Sequence, residues 1–178
     1  KSVALINRCN RWAGTNWKAK TVKFEKDNFG RLPEEARAII TITCVDNVQA
    51  RFGVAEILKE TSYRKHYQDE PKYWLDFGNS QDTGQVILST IGAIKQPNSE
   101  KYETVESLPF ITDEFGELLK QSEQEDNTPS CSLAEALEHQ DLFINSSLTQ
   151  MGCSLLWNLF RRGMTEYKGF FHNLKDFR

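Results

Sequence analysis

The sequence predicts an α/β domain in which helices cover the sheet on both faces, and three observations lead to this prediction. Residues 37 to 45 lie in the nearly unbroken apolar and β-branched run "ARAIITIT" and its extension, typical of a strand buried on both faces. A helix is expected over 48 to 60, where apolar side chains recur at helical spacing. "YWLDF" and "QVILST" flank the turn-forming "GNSQDTG" and predict two further strands joined by a bend.

The other elements follow in chain order. Residues 2 to 13 place Val3, Ile6, Cys9 or Asn10, and Ala13 on one face of a helix that ends near Gly14. "KTVKFEKD" alternates Val22 with Phe24 and predicts a short strand. Residues 96 to 131 are largely polar around "LPFITDEFGELL", and we expect a long mobile crossover-type connection within a single domain spanning 1 to 178.

The C-terminal third predicts mostly helix. "CSLAEALEHQ" predicts a short helix, and Asp141 is expected to cap a longer one that runs to about Arg162 and stops at Gly163. Its apolar stripe is formed by Ile144, Leu148, Met151, Leu155 and Leu159. We expect Met151 and Cys153 to fill the core. "TEYKGFFHNL" predicts one or two closing strands, added antiparallel.

Composition excludes several classes of function. The net charge is −3 with basic residues scattered among acids, so we expect no nucleic-acid partner. The apolar runs are too short to cross a bilayer, which predicts no membrane association. The four cysteines have neither Cys-x-x-Cys nor zinc-ligand spacing, so no zinc is expected. Cys9, Cys44 and Cys153 fall in core-like patterns, and reduced thiols in the cytoplasm are the preferred interpretation.

Polar residues follow two of the predicted strands, at the end of the sheet where open α/β proteins bind ligands. Asp46 and Asn47 follow the first, and Asp76, Gly78 and Asn79 end the second. One carboxylate here can hold a Mg²⁺ ion that also binds phosphate oxygens, and the following helix N-terminus favours an anion. A purely structural interpretation is that Asp46 or Asn47 caps the helix.

The sequence resembles the ThiF/MoeB/HesA family, the bacterial relatives of ubiquitin-activating enzymes. The resemblance lies in Lys1 at the head of "KSVALINRCNRW", in "TVKF", and in "ITCVDNVQAR". "YWLDFGNSQDTGQVILST" and the tail from "CSLAEALEHQ" to "GFFHNL" are similar to the ThiF-like proteins of PRTRC gene clusters. The resemblance implies a Rossmann-like three-layer sheet of the ThiF/MoeB type with antiparallel C-terminal strands. It also implies that the N-terminal βα units are missing and that this chain is the C-terminal portion of the domain.

The activity that the resemblance implies is ATP-dependent adenylation of the C-terminal carboxylate of a small ubiquitin-like or sulfur-carrier protein. By family likeness, Asp46 would hold Mg²⁺ and Lys1 would contact the ATP phosphates. Asn47 would lie near the nucleotide. Arg51 would lie near the carrier tail or form a salt bridge within the fold. Relatives usually form homodimers.

Two features depart from the family pattern. The glycine-rich nucleotide loop and the motifs that follow it would have to precede Lys1, so this chain supplies part of the site. Cys131, which we expect at the start of a helix after the polar connection, is the one candidate for a catalytic thiol. The alternative is that Ser130 or Ser132 caps that helix and Cys131 has no chemical role.

Two other functions fit parts of the sequence. A non-catalytic module could keep the fold to dock a small carrier protein. A nicotinamide- or S-adenosylmethionine-dependent enzyme on a similar sheet would also have an Asp at a strand end, but it leaves Lys1 and the C-terminal resemblance unexplained.

Overall fold

The structure, a computed structural model, describes residues 2–25, 38–62, 71–125 and 141–176. Five helices and four strands make up the described chain as an α/β fold. They are α1 (Ser2–Ala13), β1 (Ile40–Thr43), α2 (Val48–Ser62), β2 (Tyr73–Asn79), β3 (Thr83–Thr90), α3 (Ile111–Glu114), α4 (Gly116–Glu125), α5 (Ile144–Arg162) and β4 (Gly169–Asn173).

The four strands form one open mixed sheet in the order β1-β2-β3-β4. β1 and β2 are parallel, with Thr43 opposite Asp76, and α2 lies between them in sequence. β2 and β3 are the predicted hairpin, whose three-residue loop is closed by a bond from Ser80 N–H to the Thr83 carbonyl. β4 pairs antiparallel with β3, which confirms the predicted closing strand.

Helices pack on both faces of the sheet, because side chains alternate across each strand. On one face, Trp74 and Ile87 contact α2, α3 and α4. On the other, Leu75, Val86 and Leu88 contact α5. The patterned segment "LPFITDEFGELL" contributes Phe110, Ile111 and Leu119 to the first of these cores, so this middle part of the long connection is built into the domain.

Helix α5 confirms the predicted stripe and its end. Ile144, Leu148 and Leu155 are buried against the sheet, and Met151 and Leu159 are partly buried. Gly163 adopts φ 70°, and its N–H donates to the Leu159 carbonyl, as a left-handed helix terminus does. The predicted N-cap is wrong, because the helix begins at Ile144 and Asp141 instead accepts a bond from Phe143 N–H in the preceding turn.

Three other predictions from the sequence are wrong. Residues 21 to 25 are not a strand, because the described sheet runs from β1 to β4 and does not include them; residues 26 and 27 lie outside the described chain. β1 is not buried on both faces. Its Ile42 is 52% exposed, because α5 packs on that face of the sheet over β2, β3 and β4. The thiols of Cys9, Cys44 and Cys153 are exposed rather than buried in the core, although all three are free as expected.

Helix α1 has the predicted bounds and is followed by Gly14 at φ 65°. Asn10 organises the loop behind it, since its Oδ1 accepts bonds from Trp17 N–H and Thr15 Oγ1. None of its residues is buried, so its apolar face is not part of either core. Across the described ranges, no helix combines the length and apolar character that a membrane crossing requires.

The contact between α5 and the sheet depends on a small residue at position 152. A Cβ built on Gly152 would lie 2.3 Å from Cζ of Phe77 and 3.2 Å from Cγ1 of Val86. We expect Gly152→Ala to lower the free energy of unfolding by about 1–3 kcal/mol, because the ring and the helix must separate. Urea unfolding followed by circular dichroism measures this change.

Gly53 is the matched control, because it also lies in a helix and a Cβ there would meet nothing within 4 Å. Gly53→Ala should stabilise the protein by about 0.5–1 kcal/mol through the higher helix propensity of alanine. Equal responses to the two substitutions would contradict the close packing of α5 on β2.

Candidate functional site

The turn from Cys44 to Asn47 joins β1 to α2 at the carboxyl end of the parallel strand pair. Asn47 is the N-cap of α2, because its Oδ1 accepts a 2.7 Å bond from the N–H of Ala50. Its Nδ2 donates to Oδ1 of Asp46 at 2.9 Å. The side chains of Asp46 and Asn47 are both exposed. The capping alternative therefore holds for Asn47, while Asp46 presents its carboxylate to solvent beside a helix N-terminus.

Arg51 lies one turn into α2 and points back toward the sheet. It is 4% exposed, and its Nε donates to Oδ2 of Asp76 at 2.8 Å. Its Nη2 donates to the carbonyls of Val45 and Phe77, each at 3.2 Å. One guanidinium thus joins the first turn of α2 to the backbone that follows β1 and to β2, which is the structural role that the sequence left open for it.

Asp76 is fully buried in β2, a placement that the sequence pattern did not predict. Besides Arg51, it binds Thr43, whose hydroxyl donates to Oδ1 at 2.7 Å. The Thr43 oxygen in turn accepts a 2.8 Å bond from Nε1 of Trp74. Alternation in β2 places Trp74 and Asp76 on one face, the face that α2 covers, and a buried acid there requires a basic partner.

Burial and charge shift two acids in this network. Burial raises the pKa of Asp76, against the Arg51 guanidinium and the Thr43 hydroxyl, which both lower it. Cys44 is exposed, but the neighbouring protein atoms partly desolvate its thiol and raise its pKa; the Asp76 carboxylate raises it further, and Arg51 opposes both. Cys44 is therefore a protonated and weakly nucleophilic thiol at neutral pH, even though its side chain reaches solvent.

Asp46 is the exposed carboxylate of this turn, and it is the residue to which the sequence assigns a possible Mg²⁺. Asp46 supplies a hard, exposed oxygen ligand, and Mg²⁺ in such sites takes its other ligands from phosphate and water. In the described part of the chain, no group of three or more His, Cys, Asp or Glu residues could hold a metal ion without such help.

Three of the five predicted site residues are brought together here, and two lie outside the described residues. Asp46, Asn47 and Arg51 surround one turn, at the expected end of the sheet. Lys1 and Cys131 both lie outside the described ranges, as does the predicted helix over 131 to 140. Their proposed contacts with phosphate and carrier stay predictions.

A concave region lies away from this turn, where α2 meets α3 and α4. It is a cleft of about 220 Å³ beside Phe52. Two of its acids are already paired with lysines, Asp113 with Lys59 and Glu117 with Lys120. This cleft therefore offers less uncompensated charge to a ligand than the turn that carries Asp46.

Comparisons of the chain with protein-family models, with curated proteins and with solved structures found no match.

The pair formed by Arg51 and Asp76 should dominate the response of the fold to substitution. Each single change, Arg51→Met or Asp76→Leu, should lower the free energy of unfolding by about 3–5 kcal/mol, because it leaves the other charge buried without its partner. The double variant should recover most of this loss. A double-mutant cycle by urea unfolding measures the coupling.

The exposed pair between Glu117 and Lys120 is the control, since its charged atoms lie 2.9 Å apart, close to the 2.8 Å of the buried pair, but in solvent. The cycle built on Glu117→Leu and Lys120→Met should give a coupling under about 1 kcal/mol. Similar couplings in the two cycles would show that the buried pair has no special role.

The raised pKa of Asp76 predicts a specific dependence of stability on pH. Between the unfolded and the folded pKa, the folded protein binds more protons at Asp76 than the unfolded chain does. The contribution of Asp76 to stability is therefore complete below about pH 4, falls as the pH rises through the folded pKa, and is constant above it. Asp76→Asn lacks this contribution, so the stability difference between wild type and variant should shrink over that interval.

Urea unfolding of both proteins between pH 3 and pH 7 measures that difference, and a ¹³C titration of the Asp76 carboxyl measures its pKa directly. A folded pKa below the ordinary value, with a difference that grows as the pH rises, would show that Arg51 outweighs burial.

Proposed function

We propose that the protein is an adenylating enzyme that uses ATP and Mg²⁺ to activate the C-terminal carboxylate of a small ubiquitin-like or sulfur-carrier protein. The observation that carries the proposal is the placement of Asp46. Its exposed carboxylate lies on the turn between a parallel strand and the N-terminus of α2, where open α/β sheets bind nucleotides. The resemblance in "ITCVDNVQAR" supplies the particular reaction.

The residues of the turn would have separate tasks. Asp46 would hold Mg²⁺, which neutralises charge on the α-phosphate and on the pyrophosphate leaving group. The positive end of the α2 dipole favours the same anionic ligand. Lys1, by family likeness, would add a second positive charge at the phosphates. The Rossmann-like arrangement that such a site implies belongs to the same proposal.

Asn47 and Arg51 have a different position in this scheme. Asn47 is engaged as the N-cap, and Arg51 is buried in its pair with Asp76, so both act on the nucleotide through the frame that they build. Asp46 is the member of the trio whose side chain faces solvent without serving as a cap or a buried anchor. In this proposal, metal binding at the turn thus depends on the carboxylate of Asp46.

A second candidate function follows from the same observation. Because Asn47 and Arg51 serve the fold, the turn would persist in a non-catalytic module that docks a small carrier protein without using nucleotide. The two functions differ in what Asp46 does: the enzyme needs its charge for metal binding, whereas the module does not.

The decisive measurement is ATP–pyrophosphate exchange by the full-length gene product, with a carrier protein ending in Gly-Gly. Asp46→Asn should reduce exchange by about 100-fold or more, because a metal ligand contributes several kcal/mol to the stabilisation of the transition state. Carrier binding should be unchanged. Exchange should also depend on added Mg²⁺.

Glu103→Gln is the control for loss of one negative charge, since Glu103 is exposed in the connection between β3 and α3. It should leave exchange unchanged. Exchange that survives Asp46→Asn would end the metal role of Asp46. Carrier binding with no exchange in the wild type would support the docking module instead.

A further inference from the structure

We propose that Asp76 and Gly78 of β2 are positioning residues, which hold Arg51 so that it fixes the turn carrying Asp46. The part of the inference that concerns metal binding rests on the function proposed above. Asp76 and Gly78 lie 25 and 27 positions after Arg51 in the chain, and the fold brings both next to its side chain.

Arg51 contacts the turn that carries Asp46. Nη2 of Arg51 donates to the Val45 carbonyl, and that carbonyl belongs to the peptide that continues into Asp46. Cap bonds from Asn47 hold the other side of the turn. The backbone on both sides of Asp46 is thus tied, by Arg51 before it and by Asn47 after it.

Arg51 is itself held in place by β2. Nε is bound to Asp76, and Nη2 is shared between Val45 and the Phe77 carbonyl. Asp76 is itself fixed by the Thr43 hydroxyl, at the last residue of β1. The guanidinium therefore has one orientation, set by β2, in which its fork faces the turn.

Glycine at position 78 leaves space for the guanidinium of Arg51. A Cβ on Gly78 would lie 2.9 Å from Nη2 of Arg51 and 2.1 Å from Nε2 of Gln85. The amide end of Gln85 can rotate away, whereas the side chain of Arg51 is 5% exposed and is confined by its bonds. Glycine at this position lets the guanidinium reach both carbonyls.

Two variants test the inference in different ways. Asp76→Asn removes the charge that orients Arg51, and Gly78→Ala displaces Nη2 without changing any charge. Partners that orient a metal ligand typically contribute 10- to 100-fold to metal affinity. We expect Asp76→Asn to weaken Mn²⁺-ATP binding, measured by electron paramagnetic resonance on the full-length gene product, by about 10- to 100-fold, and Gly78→Ala to weaken it by about tenfold.

A readout in the ligand-free protein separates positioning from general stability. ¹⁵N order parameters of residues 45 to 47 should fall from about 0.85 toward about 0.6 in both variants, while those of α2 beyond its first turn stay near the wild-type value. Leu155→Ala is the control for destabilisation, since it removes a buried side chain of α5 from the core on the opposite face of the sheet. It should change neither the order parameters of the turn nor the Mn²⁺-ATP affinity of the folded protein.

The outcomes distinguish this inference from the function on which it rests. If Asp46→Asn leaves Mn²⁺-ATP affinity unchanged, the proposed metal site is wrong, and the metal-binding part of the inference is overturned with it. If Asp46→Asn abolishes binding while Asp76→Asn and Gly78→Ala retain wild-type affinity and a rigid turn, the metal site stands and positioning by β2 is overturned. Loss of order and affinity in both variants, but not in Leu155→Ala, supports the inference.

Discussion

The buried ion pair between Arg51 and Asp76 is the interaction on which the arrangement of the parallel part of the sheet depends. Removing both charges from water is costly, and the pKa of Asp76 is raised because Arg51 and Thr43 offset only part of that cost. Here two backbone carbonyls accept from the guanidinium, and the Thr43 hydroxyl donates to the carboxylate. The requirement to satisfy these groups together permits one placement of α2 relative to β1 and β2.

The same hydrogen bonds fix the backbone of the candidate site. Asp46 is exposed, but the peptide before it is bound to Arg51 and the residue after it caps α2. An exposed carboxylate on a freely moving loop would lose much of its binding energy in ordering, whereas one on a fixed turn loses little. The buried network therefore contributes to the site without any of its members reaching the ligand.

The sequence predicted the features that depend on short-range patterns. The stripe and left-handed end of α5, the β2-β3 hairpin and the position of the turn after β1 all follow from spacing and from Gly163. The pairing of Asp76 with Arg51 did not follow, because it depends on which face of β2 meets α2. The exposure of Ile42 and Cys153 was missed for a related reason: an apolar pattern says that a side chain can be buried, and only the neighbouring elements decide whether it is.

The balance of charge at the turn favours a particular form of ligand. The charge of Asp76 is compensated by Arg51, and the Cys44 thiol is protonated because partial desolvation raises its pKa. Asp46 is then an exposed acid beside the N-terminus of α2, and on the proposed function it would repel a bare triphosphate and attract a metal-nucleotide complex. On the proposed function, this electrostatic bias makes metal and nucleotide bind together, and it explains why a site with one carboxylate needs no further acidic ligands from this part of the chain.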